Sequence, residues 1–193
     1  MNIKNLDEEW RAIKKYAGGG ALIDMGYHYI DLLVWYMGLP RTVTAKMSTG
    51  NRLNQKYDVE DTVNLLFDYY IPNENEKVIG NFIISRIYPY KEESLKVYGT
   101  NGVIELKRGE IKRLDQNGNE IECLIRKGGW PSAAIEQLDY FHDQIQLGKN
   151  STYTYKEHFK HVAIIEAAYL SNKNKNIVQP IDIIKNKFNG EIL

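Results

Sequence analysis

The chain has one cysteine, Cys123, among 193 residues. No disulfide can therefore close within it, and no cysteine-based zinc site can be built. It has no run of about 18 apolar residues, the length that a membrane-spanning helix needs. Its first residues, Met1-Asn2-Ile3-Lys4-Asn5-Leu6-Asp7-Glu8-Glu9-Trp10, lack the apolar core of a secretory signal. Nor is there a surplus of either charge: 25 basic and 25 acidic residues cancel, leaving no electrostatic footprint for nucleic acid or an anionic membrane. No Gly-x-Gly-x-x-Gly fingerprint, internal repeat, low-complexity segment or linker is present. These absences predict a cytoplasmic protein with no nucleic-acid partner and no membrane partner.

What is present suits one well-buried core. The apolar fraction is 43% and the charged fraction 26%, both ordinary for a globular protein. At this length a single domain over residues 1–193 is expected. Fourteen tyrosines suit sheet faces and interfaces that are apolar at one end and wet at the other.

The chain is organised around Gly18-Gly19-Gly20-Ala21-Leu22-Ile23-Asp24-Met25-Gly26-Tyr27-His28-Tyr29-Ile30-Asp31, which continues through Trp35 to Gly38. Three glycines form a loop that is costly to order, and a strongly apolar segment of helical length follows. On a regular helix Asp24, His28 and Asp31 (i, i+4, i+7) fall on one narrow face. The rest is apolar nearly all round, which predicts burial. Carboxylates and imidazoles are costly to bury unpaired, so the polar stripe should line a cleft or a network. A glycine loop before a helix also leaves room for close approach to a ligand and offers free N–H donors, which makes Gly19 and Gly20 candidate substrate contacts.

The remainder alternates in recognisable periods. Asn5 and Glu8 have capping spacing, and a short helix to about residue 16 is expected, carrying Trp10 and Arg11. Gly38-Leu39-Pro40 should end the main helix. Strands are expected at 42–47, 59–69 and 78–87, with Arg86 at the end of the third as a candidate contact for a polar substrate. A polar turn at 71–76 separates the second strand from the third. Glu60 and Asp61 could form a catalytic carboxylate pair, but neighbours on a strand point to opposite faces, which favours structural roles. Hairpins are expected for 94–98 with 102–106, around Asn101-Gly102, and for 110–114 with 121–125. After Gly128-Gly129-Trp130-Pro131 the period becomes helical over 132–147 and again over 155–172, and a strand or tail is expected around 177–184. His158 and His161 have helical i, i+3 spacing, but no third ligand lies near them in sequence, so no metal is expected.

The glycine-led stretch, with Trp35 and Gly38, resembles the opening of the second domain of the Gfo/Idh/MocA oxidoreductases. Val59-Glu60-Asp61-Thr62, Val97-Tyr98-Gly99-Thr100-Asn101-Gly102-Val103-Ile104-Glu105-Leu106, Glu136 to Phe141 and Glu166 to Ser171 resemble later segments of the same domain. The resemblance agrees with the α+β reading of the element order. It implies a large, mostly antiparallel sheet with helices packed on one face, like the C-terminal domain of glyceraldehyde-3-phosphate dehydrogenase. It implies His28 and Asp24 as catalytic residues, with Trp10 and Arg11 bordering the substrate pocket and Asp31 supporting the helix. It also implies a homo-oligomer formed through the open sheet face.

Complete members of that family begin with a Rossmann domain and a Glu-Lys-Pro segment, and neither is found here. The expectation is therefore the substrate-binding and oligomerisation half of an oxidoreductase acting on a sugar, cyclitol or related secondary alcohol. NAD or NADP would serve the complete enzyme, and this chain alone should bind neither. A Rossmann domain from the same gene or a neighbouring one would be its partner. The alternative is a stand-alone, non-catalytic dimerising or ligand-binding domain of the same descent.

Overall fold

The computed structural model describes residues 9–51, 54–71, 76–126, 130–149 and 155–188. The expected cap at Asn5 and Glu8, the core of the turn at 72–75, and Gly128 with Gly129 lie outside them. The chain divides into two compact units, Met1–Tyr90 with Tyr153–Leu193, and Lys91–Thr152.

The first unit is built on an antiparallel sheet of β1 (Thr42–Ser48), β2 (Thr62–Ile71) and β3 (Glu76–Ser85), in that order. Strict alternation along β2 turns Val63, Leu65, Phe67 and Tyr69 inward. Register places Ala45 and Phe82 on either side of Leu65. The inner face packs on α4 (Tyr155–Asn174), through Ala163, Ile164, Ala167 and Ala168, and on α2 (Tyr27–Met37), through Ile30. Burying each large aliphatic side chain there contributes about 1.5–3 kcal/mol. The small residues of α4 bring it close enough for its side chains to reach the β1 backbone. Ala45 N–H donates to Ser171 Oγ (3.0 Å) and Met47 N–H to Asn172 Oδ1 (3.1 Å). Val43 exchanges backbone hydrogen bonds with Val178 (2.8 and 3.0 Å), so the β1 edge of the sheet is covered in part.

That single bridge is all that forms of the strand expected near the C-terminus. Residues Pro180–Phe188 are a helix, α5, with Ile183 and Ile184 buried against the core. Proline at the first helical position and apolar neighbours in the next turn explain the helix.

The lead-in also departs from expectation, because it is broken. A 3-10 turn, Trp10–Ala12, and a one-turn helix α1, Lys14–Ala17, flank an extended Ile13 (φ −109°, ψ 111°). Asp58 imposes the break: its carboxylate accepts Lys14 N–H (2.6 Å) and its own N–H donates to the Ala12 carbonyl (3.1 Å). The main helix ends at Gly38 as expected. Its burial does not follow expectation: Ile23, Leu32, Trp35 and Tyr36 are exposed, and only one side meets the sheet and α4.

The second unit is a four-stranded antiparallel meander, β4 (Ser94–Gly99), β5 (Gly102–Lys107), β6 (Glu110–Leu114) and β7 (Glu120–Ile125), followed by α3 (Trp130–Gln146). Both expected hairpins form. Asp115 closes the second by accepting the N–H groups of Asn117 and Asn119 (2.8 Å each). The architecture is α+β and antiparallel, as expected, with the described strands in two sheets in place of one large one. Beyond β3 the chain turns out of the ladder at Arg86, and Pro89 has no N–H with which to rejoin it.

Candidate active site

The glycine loop meets the start of β2. A Cβ on Gly20 would lie 2.0 Å from the Glu60 carbonyl oxygen, and one on Gly19 would lie 2.0 Å from the Tyr169 hydroxyl. Both positions thus accept only glycine as the chain stands. The close approach lets Glu60 cap the helix from another element. Ala21 N–H donates to its carbonyl (2.8 Å), Leu22 N–H to its Oε1 (3.0 Å), and the Tyr169 hydroxyl to the same oxygen (2.8 Å). A buried negative charge is well placed at a helix N-terminus. Burial, and then the Glu60 charge, push the Tyr169 hydroxyl pKa far up. Asp61 is wholly buried and accepts from Asn51, Ser48 and Tyr57. Burial acts to raise its pKa, but hydrogen bonds led by that of Tyr57 outweigh it and hold the carboxyl below its usual range. Glu60 and Asp61 are therefore structural, although both precede β2, which starts at Thr62 and not at the expected residue 59.

Leu22–Gly26 forms a π turn that runs into α2. Such a turn is one residue wider than an α turn, so Asp24 and His28 do not stack at i, i+4 as they would on a regular helix. Asp24 points toward β3. Its Oδ2 receives Arg86 Nη2 at 2.6 Å, and its Oδ1 lies 3.7 Å from Arg11 Nε. Arg11 stacks over the Trp10 ring at 4.7 Å and bonds Glu9 at 3.2 Å. Arg86 also donates to the Gly20 carbonyl (3.2 Å). Trp10, Arg11, Gly20, Asp24 and Arg86 thus form one group, while Gly19 lies beside Tyr169. His28 stands on the exposed side of α2, edge-on to Tyr27 with ring centres 6.2 Å apart. Among the described residues it makes no hydrogen bond to Asp24.

Asp31 turns the other way, toward His161 Nε2 at 3.3 Å. It ties α2 to α4, the supporting role expected of it. Tyr27 joins the same contact through a 2.7 Å hydrogen bond with His158 Nδ1. Among the described residues no set of three His, Cys, Asp or Glu is arranged to hold a metal, and no helix is long and apolar enough to cross a membrane.

Sequence spacing could not have revealed the Arg86–Asp24 or Tyr169–Glu60 pairs, whose members are 62 and 109 residues apart. Neither follows from a local motif.

The group can recognise a hydroxyl-rich ligand: an anchored carboxylate with one open oxygen, a cation stacked on an indole, and an exposed imidazole on the same helix. Every described strand pair is antiparallel.

Fold and site define an α+β domain that presents an aspartate and a histidine from a glycine-led helix. The sequence profile of the GFO/IDH/MocA C-terminal domain matches residues 2–105, and the chain belongs to that family. No curated protein sequence matches it. Among solved structures it is similar to levoglucosan dehydrogenase in complex with NADH and levoglucosan, at 20% identity and a TM-score of 0.77, covering 91% of this chain and 54% of that one. It is similar to aldose-aldose oxidoreductase from Caulobacter crescentus complexed with glycerol, at 22% identity and 0.71, covering 92% and 52%. GenD2 from gentamicin A biosynthesis, in complex with NAD, is 26% identical at 0.68, covering 91% and 52%. The chain spans about half the length of these proteins.

Proposed function

We propose that this chain is the substrate-binding and oligomerisation half of an NAD-dependent oxidoreductase acting on a sugar, cyclitol or related secondary alcohol. The observation that carries the reading is the Asp24 carboxylate, anchored through one oxygen by Arg86 and open at the other, on the helix that exposes His28. The family match and the sugar and NAD complexes among similar structures support it.

In this reading Trp10 and Arg11 hold the sugar face, with Gly19 and Gly20 shaping the floor behind Asp24. Asp24 accepts a hydrogen bond from one hydroxyl. His28 takes the proton of the hydroxyl being oxidised, the general-base role that an exposed imidazole can fill once substrate is within hydrogen-bond reach. NAD is held by the other half, a dinucleotide-binding domain from the same gene or a neighbouring one. The open face of the first sheet, with Leu66, Tyr70, Ile79 and Ile83 exposed, is where copies of the chain associate.

A non-catalytic dimerising or ligand-binding domain is the second reading, and the absence of an Asp24–His28 hydrogen bond favours it. The test is to join the chain to a dinucleotide-binding domain encoded beside it and assay NAD reduction with sugars and inositols. Turnover supports the first reading. A folded, NAD-binding protein without turnover on any of them supports the second.

A further inference from the structure

Arg86 is 1% exposed, yet its guanidinium is bonded through only one nitrogen. Nη2 reaches Asp24 Oδ2 and the Gly20 carbonyl, while Nε and Nη1 are buried with no hydrogen-bond partner. A buried charge is costly unless paired, and among the described residues the Asp24 carboxylate is the one negative group that pairs with it. Asp24 cannot rotate away without leaving a bare cation in the interior. The strand end is itself fixed, because Arg86 N–H donates to the Asp61 carbonyl at 2.8 Å, and Asp61 is the centre of its own hydrogen-bond network.

We infer that Arg86 does not contact substrate, as its place in the sequence suggests, but is the positioning residue that locks the Asp24 side chain and presents its Oδ1 outward. Arg11, held only at 3.7 Å from Oδ1 and half exposed, is the neighbour that a substrate hydroxyl replaces or joins there. The same guanidinium nitrogen also ties down Gly20, so the loop and the working carboxylate share one anchor. The assignment of Asp24 to the reaction rests on the function proposed above; the locking of its side chain does not.

Two measurements separate these parts. The first is a crystal structure of this chain with Arg86→Met, and with Arg86→Lys should the methionine variant not fold. Loss of the single Asp24 conformer, with the sheet and α2 unchanged, supports the inference; an Asp24 that stays in place overturns it. The second is a kinetic cycle of Arg86→Met, Asp24→Asn and the double variant in the complete two-domain enzyme. The expected result is a fall of roughly 10- to 100-fold in kcat for Arg86→Met, with the double variant no slower than Asp24→Asn alone. Arg86→Lys should recover part of the loss. Effects that multiply, or a lower melting temperature with kcat unchanged, overturn the positioning role. Wild-type turnover in Asp24→Asn, with Asp24 disordered in the Arg86→Met crystal, would overturn the proposed function and leave the lock standing.

Discussion

The Tyr169 hydroxyl donates to Glu60 Oε1 at 2.8 Å, on the same oxygen that accepts Leu22 N–H. One buried carboxylate thereby joins α4 to the segment leading into β2, and both to the start of the glycine-led helix. The glycine loop exists to let that junction close.

Gly20 and Gly19 should therefore respond differently to alanine. At Gly20 the new methyl group meets the Glu60 backbone, which cannot move without breaking the helix cap and β2. At Gly19 it meets the tip of the Tyr169 side chain, which can swing aside only by giving up its hydrogen bond to Glu60. Gly20→Ala should cost about 3 kcal/mol or prevent folding, and Gly19→Ala about 1–2 kcal/mol. Urea denaturation midpoints check this. Equal losses would show that the loop gives way as a unit.

Stability should fall on the acid side through His161. Only 4% exposed, it has its pKa lowered by burial, with Asp31 and Glu157 acting in the opposite sense and His158 and Lys160 reinforcing the shift. Tyr27 packs edge-on against the ring. A histidine whose folded pKa is depressed binds its proton more readily unfolded. Its contribution is full above the ordinary value of 6.5 and is lost as pH falls through the folded pKa. Between pH 7 and 5 the wild-type urea midpoint should drop, and the drop should be smaller in His161→Gln. An unchanged slope in that variant would assign the acid sensitivity elsewhere.

The open face of the first sheet gives the third expectation. Ile79 is 73% exposed and sits across from Asp68 at the register, with Leu66, Tyr70 and Ile83 on the same outward side. An exposed row of this kind favours self-association. Sedimentation should give a dimer or larger species at micromolar concentration, and Ile79→Lys with Ile83→Lys should shift it toward monomer. A wild-type monomer would remove the sheet face from the interface.

How far the sequence was legible depended on the range of each interaction. Alternation at Val63, Leu65, Phe67 and Tyr69 and the turn residues Asn101-Gly102 are local signals, and the strands they predict are there. The run 177–184 misled because Ile177, Ile181, Ile183 and Ile184 fit a strand or a helix equally, and the proline at 180 was the better guide. Apolar character all round the main helix predicted burial, but the exposed Trp35 and Leu32 show that pattern alone does not say which faces have partners within the chain. The π turn at Leu22–Gly26 was invisible for a different reason: its partners are distant in sequence, Glu60 just before β2 capping it and Arg86 just after β3 holding Asp24. The chemistry of the site was legible as residue types, whereas its wiring was set largely by contacts across 38 to 109 positions.

The last expectation concerns His28 in the complete enzyme. It is exposed on α2 and unattached to Asp24, so replacing it should disturb the fold little, unlike substitution at the buried Arg86 or Glu60. His28→Ala should leave the melting temperature within a degree or two of wild type, because surface substitutions away from such features usually change stability by less than about 0.5 kcal/mol. Its kcat should fall roughly 10²–10⁴-fold, the usual contribution of a placed acid–base group. Asp24→Asn should cost less in kcat, since an amide still hydrogen-bonds a hydroxyl, but more in stability, since it strips Arg86 of its charge partner. The two variants thus separate chemistry from architecture by opposite rank orders in kcat and melting temperature. If His28→Ala keeps near-wild-type turnover on the substrate that the complete enzyme oxidises, the exposed imidazole is not the base, and the Asp24–Arg86 pair must be sought as the centre of a binding site without proton transfer.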